Sequence, residues 1–167
     1  MTSQIRCCEV DNVFGFTLKQ GVRFVGVCSI IASICILFSA LSSILGMWDK
    51  KLLFNSNPVN AVNMIFALFC TSTSLYQMVV SIMLLWFSLW SKGTSYVLIL
   101  WYVSNMTLLA LYCIMFTVRA VVCYLCGHMF QAVLTTCGGL IYHGIFIYFT
   151  VIVNSYELSL DPNTLYY

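Results

Sequence analysis

Phe24–Trp48 reads FVGVCSIIASICILFSALSSILGMW, a stretch without a single Asp, Glu, Lys or Arg. A helix that crosses the hydrocarbon core of a bilayer needs about 20 mostly apolar residues, and this stretch supplies them. Leu52–Ser91, Gly93–Val118 and Ala120–Tyr156 share the property. Water gives a chain no reason to avoid charge for so long. Lipid does, because a charged residue at the middle of a spanning helix costs about 2.5–3.5 kcal/mol on insertion scales. The predicted fold is therefore all-α: a polytopic membrane protein with four transmembrane helices in a bundle. The spans fall at about 23–48, 60–90, 95–119 and 132–156, between a cytoplasmic arm (1–22) and a cytoplasmic tail (157–167).

Composition agrees with this reading. The chain is 62% hydrophobic and 7% charged, against about 25% charged residues in a soluble domain. No segment outside the spans is long enough to bury a core of its own. A net charge of +2 is too small to argue for nucleic acid. Trp48, Trp86, Trp90 and Trp101 lie near ends of charge-free runs, and Tyr166 and Tyr167 end the tail; all are expected at the membrane–water interface. The first 23 residues hold Arg6, Glu9, Asp11, Lys19 and Arg23 and no apolar core of a signal peptide, so the first span is expected to act as its own insertion signal. With the N-terminus inside, Arg6, Lys19, Arg23 and Lys92 face Lys50, Lys51 and Arg119 across the membrane. The cluster before the first span favours cytoplasmic termini.

The first span carries small residues at helical spacing. Ser29 and Ser33 lie four apart, and Ser39 and Ser43 repeat the interval. The fourth span holds the small residues Gly138, Gly139 and Gly144. Small residues let helix backbones approach closely, so all seven are expected to pack helices together, and Leu at Ser29 and Ser33 is expected to weaken assembly with partners. The first half of the second span holds Asn63, Thr71, Ser72, Thr73, Ser74 and Gln77, which should face protein rather than lipid. Arg119 is expected to end the third span, with Cys123–Gln131 connecting it to the fourth.

Chemistry-bearing residues are few. Asn105 and His143 are the notable polar groups within the spans. A polar or ionisable group at depth is a functional hypothesis by default, but no Asp or Glu lies in any span to complete a proton path. Asn105-Met106-Thr107 has the form of a glycosylation acceptor, but inside a span it reads as a contact between helices. Cys123-Tyr124-Leu125-Cys126-Gly127-His128 invites a metal or haem reading. Haem attachment needs His directly after the second Cys, and a zinc site needs a fourth ligand. Cys28, Cys35, Cys70, Cys113 and Cys137 lie in spans as small apolar residues. Cys7 and Cys8, beside Arg6 and close to the membrane, are candidates for palmitoylation. The chain holds no Ser/His/Asp set, no paired carboxylates and no glycine-rich phosphate loop. The expectation is a protein that is not an enzyme and takes no cofactor or metal.

Two segments carry a resemblance. Phe14-Gly15-Phe16-Thr17-Leu18-Lys19-Gln20-Gly21 leads into Val25-Gly26, and Tyr148-Phe149-Thr150-Val151-Ile152-Val153-Asn154-Ser155-Tyr156 closes the fourth span. With four spans in this length, they resemble the small insect tetraspan family that includes pasiflora and fire exit. That family is distantly similar to the lysosome-associated protein transmembrane family, in which an Arg-Thr-Gly precedes the first span where Lys19-Gln20-Gly21 stands here. The resemblance implies a septate-junction component of the lateral plasma membrane, supporting an epithelial and glial paracellular barrier. Its partners would be the lipid bilayer, other membrane proteins of the junction complex and further copies of itself. The alternative is an endolysosomal membrane adaptor or transporter accessory protein. The tail lacks Pro-Pro-x-Tyr, and Tyr156-Glu157-Leu158-Ser159 lacks the bulky apolar fourth residue of a sorting signal. Claudin-type junction strands need a long first outer loop with paired cysteines, which Asp49–Asn60 does not provide. A third reading, a solute or proton channel, would use His143 and Asn105.

Overall fold

The computed structural model describes residues 17–49, 57–90 and 96–159, apart from the side chain of Asp49. Cys7 and Cys8, most of the arm, the connector at Lys92 and the tail from residue 160 lie outside the described residues. All the described structure is helical: α1 (Leu18–Asp49), α2 (Pro58–Trp90), α3 (Tyr96–Leu125) and α4 (Met129–Ser159). Each is long and apolar enough to cross a membrane. Each helix packs on the next, and α4 returns to α1, so the four form a closed ring.

The helix ends are set by local chemistry, and they extend beyond the expected spans. At the start of α1, Gln20 reaches back so that its Oε1 accepts from the Thr17 amide at 3.1 Å. This is one half of a capping box, and it moves the helix start from 23 to Leu18. Asn57 caps α2, its Oδ1 accepting from the Val59 amide at 3.0 Å, with Pro58 at the first helical position, where its missing N–H costs nothing. The expected connector Cys123–Gln131 is corrected to a shorter one. α3 runs on to Leu125, and only Cys126–His128 separates it from α4. The stop is made by Gly127, at φ +80°. The His128 amide donates to Cys123 O at 2.9 Å and the Gly127 amide to Tyr124 O at 3.0 Å, which is the Schellman arrangement. A helix ends where its last carbonyls find partners, and at Arg119 nothing interrupts the ladder.

Buried positions recur at alternating steps of four and three. On α2 they are Ala67, Cys70, Ser74, Gln77, Ser81, Leu84 and Ser88. On α3 they are Leu98, Trp101, Asn105, Leu108 and Tyr112. On α4 they include Ala132, Thr135, Gly139, Phe146, Phe149 and Val153, with half-buried Tyr142 at the intervening position. On α1 Val22, Gly26, Ser29, Ser33 and Ala40 share one face. A mean step of 3.5 residues keeps one face on its neighbours along a whole helix. Most side chains on the α1 and α2 faces are small, so these two helices approach closely: a Cβ placed on Gly26 would sit 3.4 Å from Leu85 Cβ. Arg23 ties their ends, its Nε and Nη2 donating to Ser88 O at 3.3 and 3.1 Å. That carbonyl lies in the last turn of α2, where a cation is favoured.

Trp101 corrects a second expectation. It is fully buried among Leu84, Leu98 and Phe149 of the main core rather than interfacial, because it falls on the inward face of α3. Its Nε1 donates to Ser81 Oγ at 3.4 Å. Trp48, Trp86 and Trp90 are exposed. The core is not uniform along the bundle. Near the Thr17 end, Val22 and Val25 of α1 pack with Phe146, Ile152 and Val153 of α4. At the opposite end Val59, Cys123 and Ala132 join α2, α3 and α4 without any α1 residue. The seam between α1 and α4 therefore opens toward that end.

Candidate functional site

Two groups of residues stand out: a polar seam in the middle of the bundle, and a cleft at its open end. In the seam, α2 and α3 are joined by four side-chain pairs. Thr73 Oγ1 meets the Tyr112 hydroxyl at 2.7 Å, Tyr76 meets Ser104 at 2.8 Å, and Gln77 Nε2 donates to Asn105 Oδ1 at 3.5 Å. The Trp101–Ser81 bond is the fourth. Asn105 then reaches α4, its Nδ2 donating to Thr150 Oγ1 at 2.6 Å and to Phe146 O at 3.4 Å. These bonds fix the amide orientations. Thr150 donates its only proton to Phe146 O at 2.7 Å, so it must accept from Asn105. That turns Asn105 Oδ1 toward Gln77, which presents its NH2 and leaves its Oε1 buried without a partner.

His143 joins α4 to α3 about one turn further along the same interface. Its Nδ1 is 2.7 Å from Gly139 O, and its Nε2 is 3.0 Å from Leu109 O. Both ring nitrogens are occupied by backbone carbonyls. Neutral imidazole has one N–H, so it serves one of the two carbonyls as donor at a time. Asn105 and His143 thus bridge helices, and neither points into the cleft.

The small residues divide in two. Ser29, Ser33 and Gly139 are consumed inside the chain. Ser29 and Ser33 are buried on the α1 face that meets the bundle, with Ser33 Oγ donating to Ser29 O at 2.8 Å. Gly139 lets α4 close on α3, since a Cβ there would meet the Phe116 ring at 3.1 Å. Ser39, Ser43, Gly138 and Gly144 are exposed. Leu at Ser29 and Ser33 would therefore disturb the bundle before it reached any partner.

The cleft has a volume of about 680 Å³, within the usual range of about 300–1,000 Å³ for ligand pockets. Its α1 wall runs from Cys35 to Met47 and includes Ser39, Ala40, Ser43 and Gly46. Gly138 and Tyr142 form the α4 wall. The floor is aromatic. Tyr112 packs against Tyr142 at 4.7 Å and against Phe69 at 5.1 Å between ring centroids, and Phe66 against Phe116 at 5.3 Å. At one end stands Arg119. Its Nε donates to Asn63 Oδ1 at 3.0 Å, and its guanidinium carbon lies 4.6 Å over the Phe66 ring, within cation–π range. The other N–H groups of the fork have no hydrogen-bond partner among the described residues. In the sequence Arg119 is only the charge that closes the third apolar run. The usable signal for the cleft was the run of small residues Ser39, Ser43 and Gly46 on a face that the other half of α1 buries.

Cys123 and Cys126 do not form a site. Cys123 is buried, while Cys126 and His128 are exposed. Among the described residues no group of three His, Cys, Asp or Glu side chains could hold a metal ion. Compared with protein-family models, curated proteins and solved structures, the chain matches none.

Proposed function

We propose that the protein is a four-pass integral membrane protein that works without catalysis, through lateral contacts of its helices, in a cell–cell junction of the plasma membrane. One observation carries the membrane part. All four helices turn large apolar side chains outward, among them Phe38, Leu45, Ile65, Ile114, Phe130, Leu140 and Ile141, whereas soluble monomers rarely expose contiguous apolar patches beyond a few hundred Å². The hydroxyls on the same surface are turned inward: Ser43, Thr107, Thr117 and Thr136 each donate to the carbonyl four residues back, at 2.8–3.0 Å. That is how a hydroxyl is satisfied where water is absent. Resistance of the membrane-bound chain to alkaline carbonate extraction is the expected result, and release into the supernatant would overturn it.

The junctional part is supported by the resemblance described above and by the lack of any assembled catalytic set among the described residues. Partner contacts would use outward positions such as Gly144, where an added side chain meets nothing within 4 Å in the chain itself. Imaging a tagged protein in polarised epithelium tests this reading. Staining of the lateral membrane supports it, and confinement to punctate vesicles would favour an endolysosomal adaptor or transporter accessory instead.

A further inference from the structure

The cleft between α1 and α4 has the dimensions of a chain rather than of a helix. Its α1 wall, Cys35 to Met47, spans about 18 Å at 1.5 Å per residue. Spread over that length, 680 Å³ corresponds to a mean cross-section of about 38 Å². A helix with its side chains is about 10–12 Å across and needs at least twice that section. An extended acyl chain fits, and the lining agrees: small residues at the mouth, Ser39, Ser43 and Gly138, and aromatic rings behind them.

The charge at the end of the cleft lies near the end of α3. α3 has 30 residues, so it is about 45 Å long, and about 7.5 Å of it extends beyond each side of a 30 Å hydrocarbon core when centred. Arg119 lies six residues, or about 9 Å, from the end at Leu125. In a helix centred this way Arg119 would stand close to the boundary where acyl chains meet phosphates. Asn63 and Phe66 hold it in place through one N–H and one face, and its other N–H groups have no hydrogen-bond partner among the described residues. A guanidinium fork matches the oxygens of a phosphate.

We propose that this cleft binds an anionic phospholipid, with one acyl chain along α1 and the phosphate on Arg119. The site takes the four-pass reading as its frame. The test uses the full chain purified in detergent, with dioleoyl phosphatidylglycerol, dioleoyl phosphatidylcholine and inorganic phosphate added separately. Retention is read by native mass spectrometry and stabilisation by thermal unfolding. Both lipids carry a phosphate, but that of phosphatidylcholine is already paired with its own quaternary ammonium, so phosphatidylglycerol should be retained about tenfold better. Arg119→Gln should abolish that preference. Gly138→Leu, at a position where a Cβ meets nothing within 4 Å, should fill the mouth and lower retention of phosphatidylglycerol with Arg119 intact. It decides the matter alone if Arg119→Gln does not fold. Equal retention of both lipids, unchanged retention in either variant, or equal stabilisation by inorganic phosphate would each overturn the proposal. So would a dimer that occupies the cleft and separates in Gly138→Leu. Carbonate extraction of the chain would instead sink the four-pass reading, so the two failures are told apart.

Discussion

Asn105 is the residue on which three helices depend, and its loss can be worked through. Asn105→Ala removes bonds to Thr150, Phe146 and Gln77. Hydrogen bonds between helices in membranes average about 0.6 kcal/mol, so the bonds alone account for about 1–2 kcal/mol. The variant also strips the last partner from Gln77, whose Oε1 already has none. An orphaned buried amide adds about 1 kcal/mol or more. A total near 2–3 kcal/mol is expected. Gln77→Met behaves differently. It removes the unsatisfied Oε1 but leaves the buried Asn105 Oδ1 without its 3.5 Å donor, so the two effects nearly offset and the net change should stay within about 1 kcal/mol. In the Gln77→Met background Asn105→Ala should cost about 1 kcal/mol less than in the wild type, because no amide is left to orphan. Reversible unfolding of the four proteins in mixed micelles, titrated with SDS, measures the cycle. Equal costs of Asn105→Ala in the two backgrounds would refute the bonding scheme, and so would a Gln77→Met variant destabilised by more than about 2 kcal/mol.

The neighbouring glycines should separate. Gly139→Ala must displace the Phe116 ring and should cost about 1–3 kcal/mol, while Gly138→Ala meets open space and should be neutral or better in the same unfolding assay. Ser29 is fully buried and its hydroxyl has no partner, so Ser29→Ala should be neutral or stabilising, and Ser29→Leu should lose about 1–3 kcal/mol by overpacking; a destabilised Ser29→Ala would contradict this. With both His143 nitrogens held by backbone carbonyls, proteoliposomes should show no proton flux above protein-free vesicles. Flux that disappears in His143→Ala would restore the channel reading.

Much of the architecture is legible along the chain. The charge-free runs locate four helices, and Asn57-Pro58 and Gly127 are recognisable as a start and a stop. The Thr17–Gln20 pair is equally legible, but it lies ahead of the charge-free run, which begins only after Arg23. Arg119 shows that the end of a charge-free run need not be the end of a helix. A charge in an apolar stretch looks like the end of a span, yet an arginine within about 9 Å of a helix end reaches the boundary while its helix continues. Trp101 misled for a related reason: position along a run says how deep a residue lies, and only the face says whether it looks inward. The 3.5-residue stripe through Ala67, Cys70, Ser74, Gln77, Ser81, Leu84 and Ser88 was present in the sequence, but its members are so mixed in polarity that a search for apolar periodicity passes over them.

The sequence alone determined that the chain forms four helices, each long and apolar enough to cross a membrane, because a long absence of charge is a local property that no tertiary contact can supply. It also determined which residues are small. Only the tertiary structure decided what the small residues are for. Ser29, Ser33 and Gly139 are spent on close packing within the chain, while Ser39, Ser43 and Gly138 border a cleft. The physical reason is that a helix repeats its faces but not its neighbours. α1 touches α4 at one end and parts from it at the other, so the same spacing closes an interface in the first half and leaves a space in the second, with Arg119 at its end.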